Sequence, residues 1–275
     1  MTQTAQLNAK DIACLTRTIA AIGTSEFPFR FVQTCTGMAK ADAAYLSAFF
    51  VNARPVEIYS SGKDQQSLEA LAVYLDVGFV LDPFYQLFQT ATSDRVHALA
   101  YIAPDDFRRS VYYSRFFSAL NLTDECGLML PFGNQAALFL SMGVHGNSKM
   151  QLGTLQAMLP AISALARRHW TVLTPERFDG TGRLAAQLEA AFASFGTSTL
   201  SPREGEITRM IPQGHSSKAI ALAFENSPET IKVHRKRIYA KLDVSSQGEL
   251  LSLFLESLRR MPAGADGDPI SYLKA

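Results

Sequence analysis

Between Ser227 and Leu242 the chain carries Lys232, Arg235, Lys236, Arg237 and Lys241, and its only acid there is Glu229. On an α-helix, residues three or four apart lie on one side. Glu229, Lys232, Val233 and Lys236 therefore share an exposed face opposite Ile231 and Ile238, with Arg237 and Lys241 on its flank. Such a face makes no covalent bonds. It suits duplex DNA, where ammonium and guanidinium groups displace counterions from phosphates and long side chains reach base edges. Val233 would meet a thymine methyl. No comparable set of groups points to catalysis. His97, His145, His169, His215 and His234 show no metal spacing, and Cys14, Cys35 and Cys126 form no Cys-x-x-Cys pair. Asp105-Asp106 and Asp124-Glu125 read as loop or helix-cap acids. With no nucleophile motif or phosphate loop, the expectation is a protein that needs no cofactor and no metal and is not an enzyme.

The basic helix must be held by others. Ser201, Pro202 and Glu204 form a helix start, serine as cap, proline at the first helical position and glutamate three residues after the cap. Ile207, Met210 and Ile211 face inward, and Gly214 ends this helix. Gly205 and Pro212 within it cost about 4 kcal/mol of propensity against alanine, which predicts a shortened or bent helix. Ser216-Ser217 opens a second helix with Ile220, Ala223 and Phe224. Asn226 makes the turn, Ser227-Pro228 caps the third helix, and Ser246 with Glu249 caps a fourth.

These residues, from Leu200 through Gly214, Ser216, Ser217, Lys218 and Ile220 to the run Thr230 to Val244, closely resemble the LuxR-type DNA-binding domain over about 60 residues. The resemblance implies an all-α four-helix unit whose third helix enters the major groove of double-stranded DNA. By position, Lys232, Val233 and Lys236 match the family's base-reading residues. Lys218, Thr230, His234 and Lys241 match its backbone-contacting or groove-flanking positions; Arg235 and Arg237 add charge. The fourth helix, with Leu250, Leu251, Leu253, Phe254, Leu255 and Leu258, is apolar over more than one stripe, and the resemblance implies a homodimer through it. The same unit occurs in the promoter-reading region of sigma factors, so a module that binds RNA polymerase is one alternative, and an acyl-homoserine-lactone receptor is the other.

The preceding half predicts a helix over 5–22, strand-like runs at Ala44–Val51 and Val56–Ser60 joined through Arg54-Pro55, and a helix from Gln65 to Val80 ended by Asp82-Pro83. A second helix spans Asp105–Leu120, two strands lie near Gly127–Leu130 and Ala136–Val144, and a long helix covers Met150–Trp170. That order fits an α+β sensor sandwich of the GAF or PAS kind. It is in part similar to acyl-homoserine-lactone-binding domains, through Asp82-Pro83 after a helix containing Tyr74 and the rhythm from Leu122 to Leu140. Trp170 is the only tryptophan, so the tryptophans that frame the lactone in that family are missing. The aromatics Phe79, Phe84, Tyr85, Phe88, Tyr112, Tyr113, Phe116 and Phe117 read as core. Tyr74, Asp82 and Tyr85 are the candidate residues lining a small-molecule site, since a buried carboxylate needs hydrogen-bonding partners.

The whole chain has 275 residues, 47% hydrophobic, with a formal net charge of +1. This composition excludes disorder and leaves the charge placement, not its sum, as the indicator of partners. Without a signal sequence, a transmembrane run or a disulfide framework, the expected location is the cytoplasm, away from any membrane. The expected organisation is a GAF-like sensor over 1–172, a linker with a short helix over 173–197, the helix-turn-helix domain over 198–261, and a frayed tail over 262–275.

Overall fold

The computed structural model describes residues 7–51, 53–62, 65–76, 78–110, 112–175, 190–262 and 265–273. Five antiparallel strands form one sheet: β1 (Ala43–Phe50), β2 (Ala53–Ser60), β3 (Arg95–Ala98), β4 (Leu122–Phe132) and β5 (Ala136–His145), in the order β2-β1-β5-β4-β3. Successive side chains of a strand point to opposite faces, and here both faces are covered. Leu46, Ala48 and Phe50 of β1 join Leu138 and Leu140 of β5 against one layer of helices. That layer holds α1 (Ala9–Ala20), α2 (Phe27–Ala39), α6 (Gly153–Ala157) and α7 (Leu159–His169). Its centre is Trp170, edge-on to Phe27 and Phe31 at 5.2 and 5.7 Å.

The opposite face of the sheet carries Phe49, Met129 and Phe139 and meets α3 (Gln65–Asp76), α4 (Pro83–Phe88), α5 (Leu99–Ile102) and the aromatics Phe79, Phe84, Tyr85 and Phe88. Gly127 makes this contact possible. A Cβ there would lie 2.5 Å from both the Phe84 and Phe139 rings, so the bare backbone lets Phe84 rest on the sheet. The result is an α+β sandwich.

Several elements depart from expectation. Residues 27–39, for which the sequence predicted no element, form α2, whose buried Phe27, Phe31, Cys35 and Met38 recur at helical spacing. Arg54 and Pro55 lie within β2 rather than in the turn, which an edge strand permits because one row of its N–H groups is unpaired. The expected helix over Asp105–Leu120 is broken into a 3-10 turn at Phe107–Arg109, a π turn at Tyr113–Phe117 and a 3-10 turn at Ser118–Leu120. The Phe116 side chain falls outside the described residues. Met150–Trp170 is two helices, the second starting afresh at Leu159 with Pro160 in its first turn.

The C-terminal part is all helical: α8 (Pro202–Gln213), α9 (Ser217–Ala223), α10 (Pro228–Leu242) and α11 (Gln247–Arg260). Ser201, Ser216, Ser227 and Ser246 each accept a backbone N–H at the N-terminus of one of these helices. Gly214, at φ +94°, closes α8, and Pro212 is held within its last turn. The turn after α9 is made at Glu225, at φ +53°, not at Asn226. Most of the expected linker, residues 176–189, lies outside the described residues, as does the start of its short helix. Of the expected frayed tail, the described residues 265–273 are packed. Buried Asp268 accepts hydrogen bonds from the backbone N–H groups of Gly196 and Ser198 and from the Ser198 hydroxyl, and Ile270 is buried beside α11. One carboxylate with four donors, the Ile270 N–H included, anchors what glycine and proline content made look loose.

Candidate nucleic-acid interface and sensor cavity

α10 is positioned from within. Ile231, Ile238 and Leu242 are buried with Ile207, Ile220 and Leu250, which fixes the helix against α8, α9 and α11. The opposite face is open: Lys232, Val233, Lys236 and Arg237 are exposed, Val233 to 49%. Lys232 lies 3.9 Å from Glu229, a surface pair of little worth that leaves the ammonium free to move. Lys218 is exposed on α9.

The remaining predicted contact residues are differently placed. Thr230 hydrogen-bonds its backbone N–H to the Ser227 hydroxyl and sits at the N-terminus of α10. Arg235 is half-buried and leans toward α9, 3.5 Å from the Ser217 hydroxyl and 3.3 Å from that of Tyr239. His234 is half-buried, with Nδ1 buried and unpartnered among the described residues. Lys241 is engaged inside the domain, donating to the Glu204 carboxylate at 2.6 Å. That bond, first, and the Ser201 N–H beside it hold the Glu204 carboxyl at about 2. The capping residue of α8 thus doubles as the anchor of the last turn of α10, which sequence spacing alone did not reveal.

The sensor half contains a cavity of about 360 Å³ between the sheet and α3, bounded on its third side by the segment that follows Phe107. Tyr74 and Asp82 line it. The Asp82 carboxylate accepts from the Tyr74 hydroxyl at 2.7 Å and from the Phe84 N–H at 2.8 Å, with Tyr112 a further donor. Burial nevertheless pushes its carboxyl up to about 6. Tyr85 is a correction. It is fully buried among Phe49, Phe79 and Phe88, its hydroxyl bonded to the Phe50 carbonyl at 3.3 Å, and it belongs to the core rather than to the cavity wall.

Glu125 also lines the cavity, and sequence reading placed it wrongly, in a loop or cap. It lies in β4 with its side chain inward, bonded to the Ser141 hydroxyl at 2.5 Å. Burial drives its carboxyl up to about 8, reinforced by Asp82 and Asp124. A carboxyl raised on folding contributes stability below its unfolded value that is lost as pH rises through its folded value. Asp82, with Tyr45, Tyr74 and Tyr112 around it, shifts in the same direction. The ligand-free protein should therefore melt at progressively lower temperature between about pH 5 and 8. In a calorimetric pH series, Glu125→Gln should flatten the upper part of that decline; a variant with the native slope contradicts the assignment.

Neither other class of group forms a second site. Burial raises the thiols of Cys35 and Cys126, the latter to about 12, which leaves them protonated and unreactive. Among the described residues no group of three or more His, Cys, Asp or Glu could hold a metal, and no helix is long and apolar enough to cross a membrane.

Two capped helices across a tight turn, the second with an open basic face, joined to an α+β sandwich around a cavity, define a sensor-type helix-turn-helix protein. Residues 198–254 match the family of bacterial regulatory proteins described as the luxR family. The chain is 31% identical over 192 residues to a helix-turn-helix-type transcriptional regulator from the exeN 3′ region of Aeromonas salmonicida, covering 66% of this chain and 97% of that protein. A 65-residue stretch is 35% identical to a helix-turn-helix-type regulator of Mycobacterium bovis, of which it spans only 7%. The LBD domain of VqsR from Pseudomonas aeruginosa shares the fold of the first half, with a TM-score of 0.52 at 21% identity over 61% of this chain and the whole of that one. The chain belongs to the LuxR family of transcriptional regulators, and it binds DNA.

Proposed function

We propose that this regulator acts in the cytoplasm as a homodimer, without catalysis, reading a two-fold related duplex through Lys232, Val233 and Lys236 of α10, and that a small molecule in the sensor cavity sets its affinity for DNA. Lys218, Thr230, Arg235 and Arg237 contact or orient toward the phosphates. His234 and Lys241 hold the reading helix in place. Half-buried Leu253, Leu255 and Leu258 of α11 supply the pairing face.

One observation carries the coupling. The segment from Asp105 to Leu122 touches both sites. Its later part, Tyr112, Phe117, Leu120 and Leu122, lines the cavity. Its first part grips the turn between α8 and α9: the Ser216 N–H donates to Asp105 at 3.0 Å, the Ser216 hydroxyl donates to the same carboxylate, and the Asp106 N–H donates to the Gly214 carbonyl at 3.2 Å. Gly214 packs there so closely that a Cβ would lie 2.8 Å from that of Ser110. A ligand that moves Tyr112 or Phe117 thereby moves the grip on the reading unit, since packed segments shift between discrete arrangements.

Ser141→Phe puts a ring into the cavity in place of a ligand. Fluorescence anisotropy with a symmetric duplex selected from a randomised pool should show its affinity shifted at least fivefold from the native chain. An unchanged affinity in a folded variant refutes control through the cavity. The grip itself is tested by hydrogen exchange: Asp105→Ala should speed exchange of the Ser216 to Ala219 amides about tenfold, equivalent to about 1.4 kcal/mol. Equal exchange in both proteins would mean that the contact contributes nothing.

A further inference from the structure

The polar groups of the cavity are unequally satisfied, and the imbalance specifies a ligand. Asp82 is answered by protein: the Tyr74 and Tyr112 hydroxyls and the backbone at Phe84 and Tyr85 all bond to it. Those two tyrosines are thereby spent. Glu125 has a single hydrogen-bond partner among the described residues, the Ser141 hydroxyl. The Tyr45 hydroxyl is buried with no hydrogen-bond partner among the described residues.

These groups lie in one row across three adjacent strands. Tyr45 of β1 stands opposite Ser141 of β5, and Glu125 of β4 stands opposite Gly143, two residues along β5 on the same face. Gly143 has no side chain, so β5 places nothing in front of the carboxylate at that position, and the glycine is covered by the Leu122 side chain of β4. No lysine or arginine is among the described residues that line the cavity. The one base there, His145 at the mouth, is taken by Asp42 at 2.7 Å. The rest of the wall is apolar: Leu71, Phe117, Leu120, Leu122 and Phe139.

Resting on the reading that this cavity is the regulatory site, we propose that its ligand is a cationic amphiphile, with a protonated amine or amidine head held by Glu125 and the Tyr45 hydroxyl oxygen and an alkyl or aryl body against the leucines and phenylalanines. Glu125 is the specificity-determining residue. A carboxylate withdrawn from water demands an opposite charge or several donors, and the chain offers it one hydroxyl. Burial drives that carboxyl up to about 8; an ammonium ion beside it would favour the ionised form and release the proton.

Titration of the full chain with n-octylamine, octan-1-ol and octanoate, three probes with one tail length and three heads, tests this. By calorimetry at pH 7.5, n-octylamine should bind at least tenfold more tightly than octan-1-ol, and octanoate least. Glu125→Gln, which keeps the shape of the side chain and a carbonyl for Ser141, should erase the difference. Equal affinity for octan-1-ol and n-octylamine, or an amine preference that survives in Glu125→Gln, overturns the head-group assignment and leaves the cavity as a neutral-ligand site. Binding of none of the three overturns the assignment as well, and in that case the Ser141→Phe measurement decides separately whether the cavity controls DNA binding.

Discussion

Replacing Lys232 and Lys236 together with alanine should weaken duplex binding at least a hundredfold at 0.15 M salt and leave thermal stability within a degree or two. Both ammonium groups are exposed, and among the described residues only Lys232 has an acidic neighbour, Glu229 at 3.9 Å. Their removal therefore takes little from the fold, whose hold on the helix is through Ile231, Ile238 and Leu242. At the duplex each lost contact is worth about 1–3 kcal/mol if it reads a base edge, and each lost phosphate neutralisation flattens the salt dependence by about one unit of slope. Anisotropy titrations across a salt series should show both effects together. Lys241→Ala should behave in the opposite manner. Its ammonium holds Glu204 at 2.6 Å, so its loss should appear chiefly as lower stability. The contrast separates residues that contact DNA from residues that hold the contacting helix.

Asp82→Ala should lower the stability of the sensor half by about 3 kcal/mol, seen as an earlier melting transition. The side chain is 3% exposed and caps α4 through the Phe84 N–H, while also receiving the Tyr74 hydroxyl from α3. Alanine would leave two tyrosine hydroxyls and a helix-end N–H buried without partners, and each orphaned donor costs about 1–3 kcal/mol. The raised carboxyl limits the effect at neutral pH, because ionised Asp82 is itself held at a cost. The penalty of the substitution should persist at pH 5, where the protonated acid still accepts from its neighbours. A variant as stable as the native chain would show that water reaches these groups.

What could be read from sequence followed the range of the forces involved. The helices of the reading unit are set by local signals: four serine caps, a proline after two of them, a terminal glycine and an inward stripe of isoleucine and leucine. Gly205 and Pro212 argued for a bent or shortened first helix, yet α8 runs twelve residues, because buried Ile207 and Ile211 and the double role of Glu204 outweigh propensity. In the sensor half, β1 and β5 were legible as apolar runs. α2 was hidden because its phenylalanines and threonines favour strands, and only packing on Trp170 reveals the helical period. The break in 105–120 is set by distant groups, Ser216 and Gly214, that no local pattern anticipates. Glu125 was obscured for the same reason. Beside Asp124 it looks like part of an exposed acidic pair, and only the alternation of β4, once the strand is known to begin at Leu122, turns it inward. Asp268 was missed because its partners, Gly196 and Ser198, lie about seventy residues away.

The most direct test attaches an iron chelate to a single cysteine at position 233, in a chain with Cys14→Ser to remove the one native thiol that is not buried. On a selected symmetric duplex, the reagent on Val233→Cys should cut both strands in two clusters centred on the major groove, about one helical turn apart, and the same reagent on Leu222→Cys, exposed on α9, should cut weakly and outside them. Cutting from position 222 that equals or exceeds that from 233, or cleavage confined to the minor groove, would mean that α10 is not the element that reads DNA.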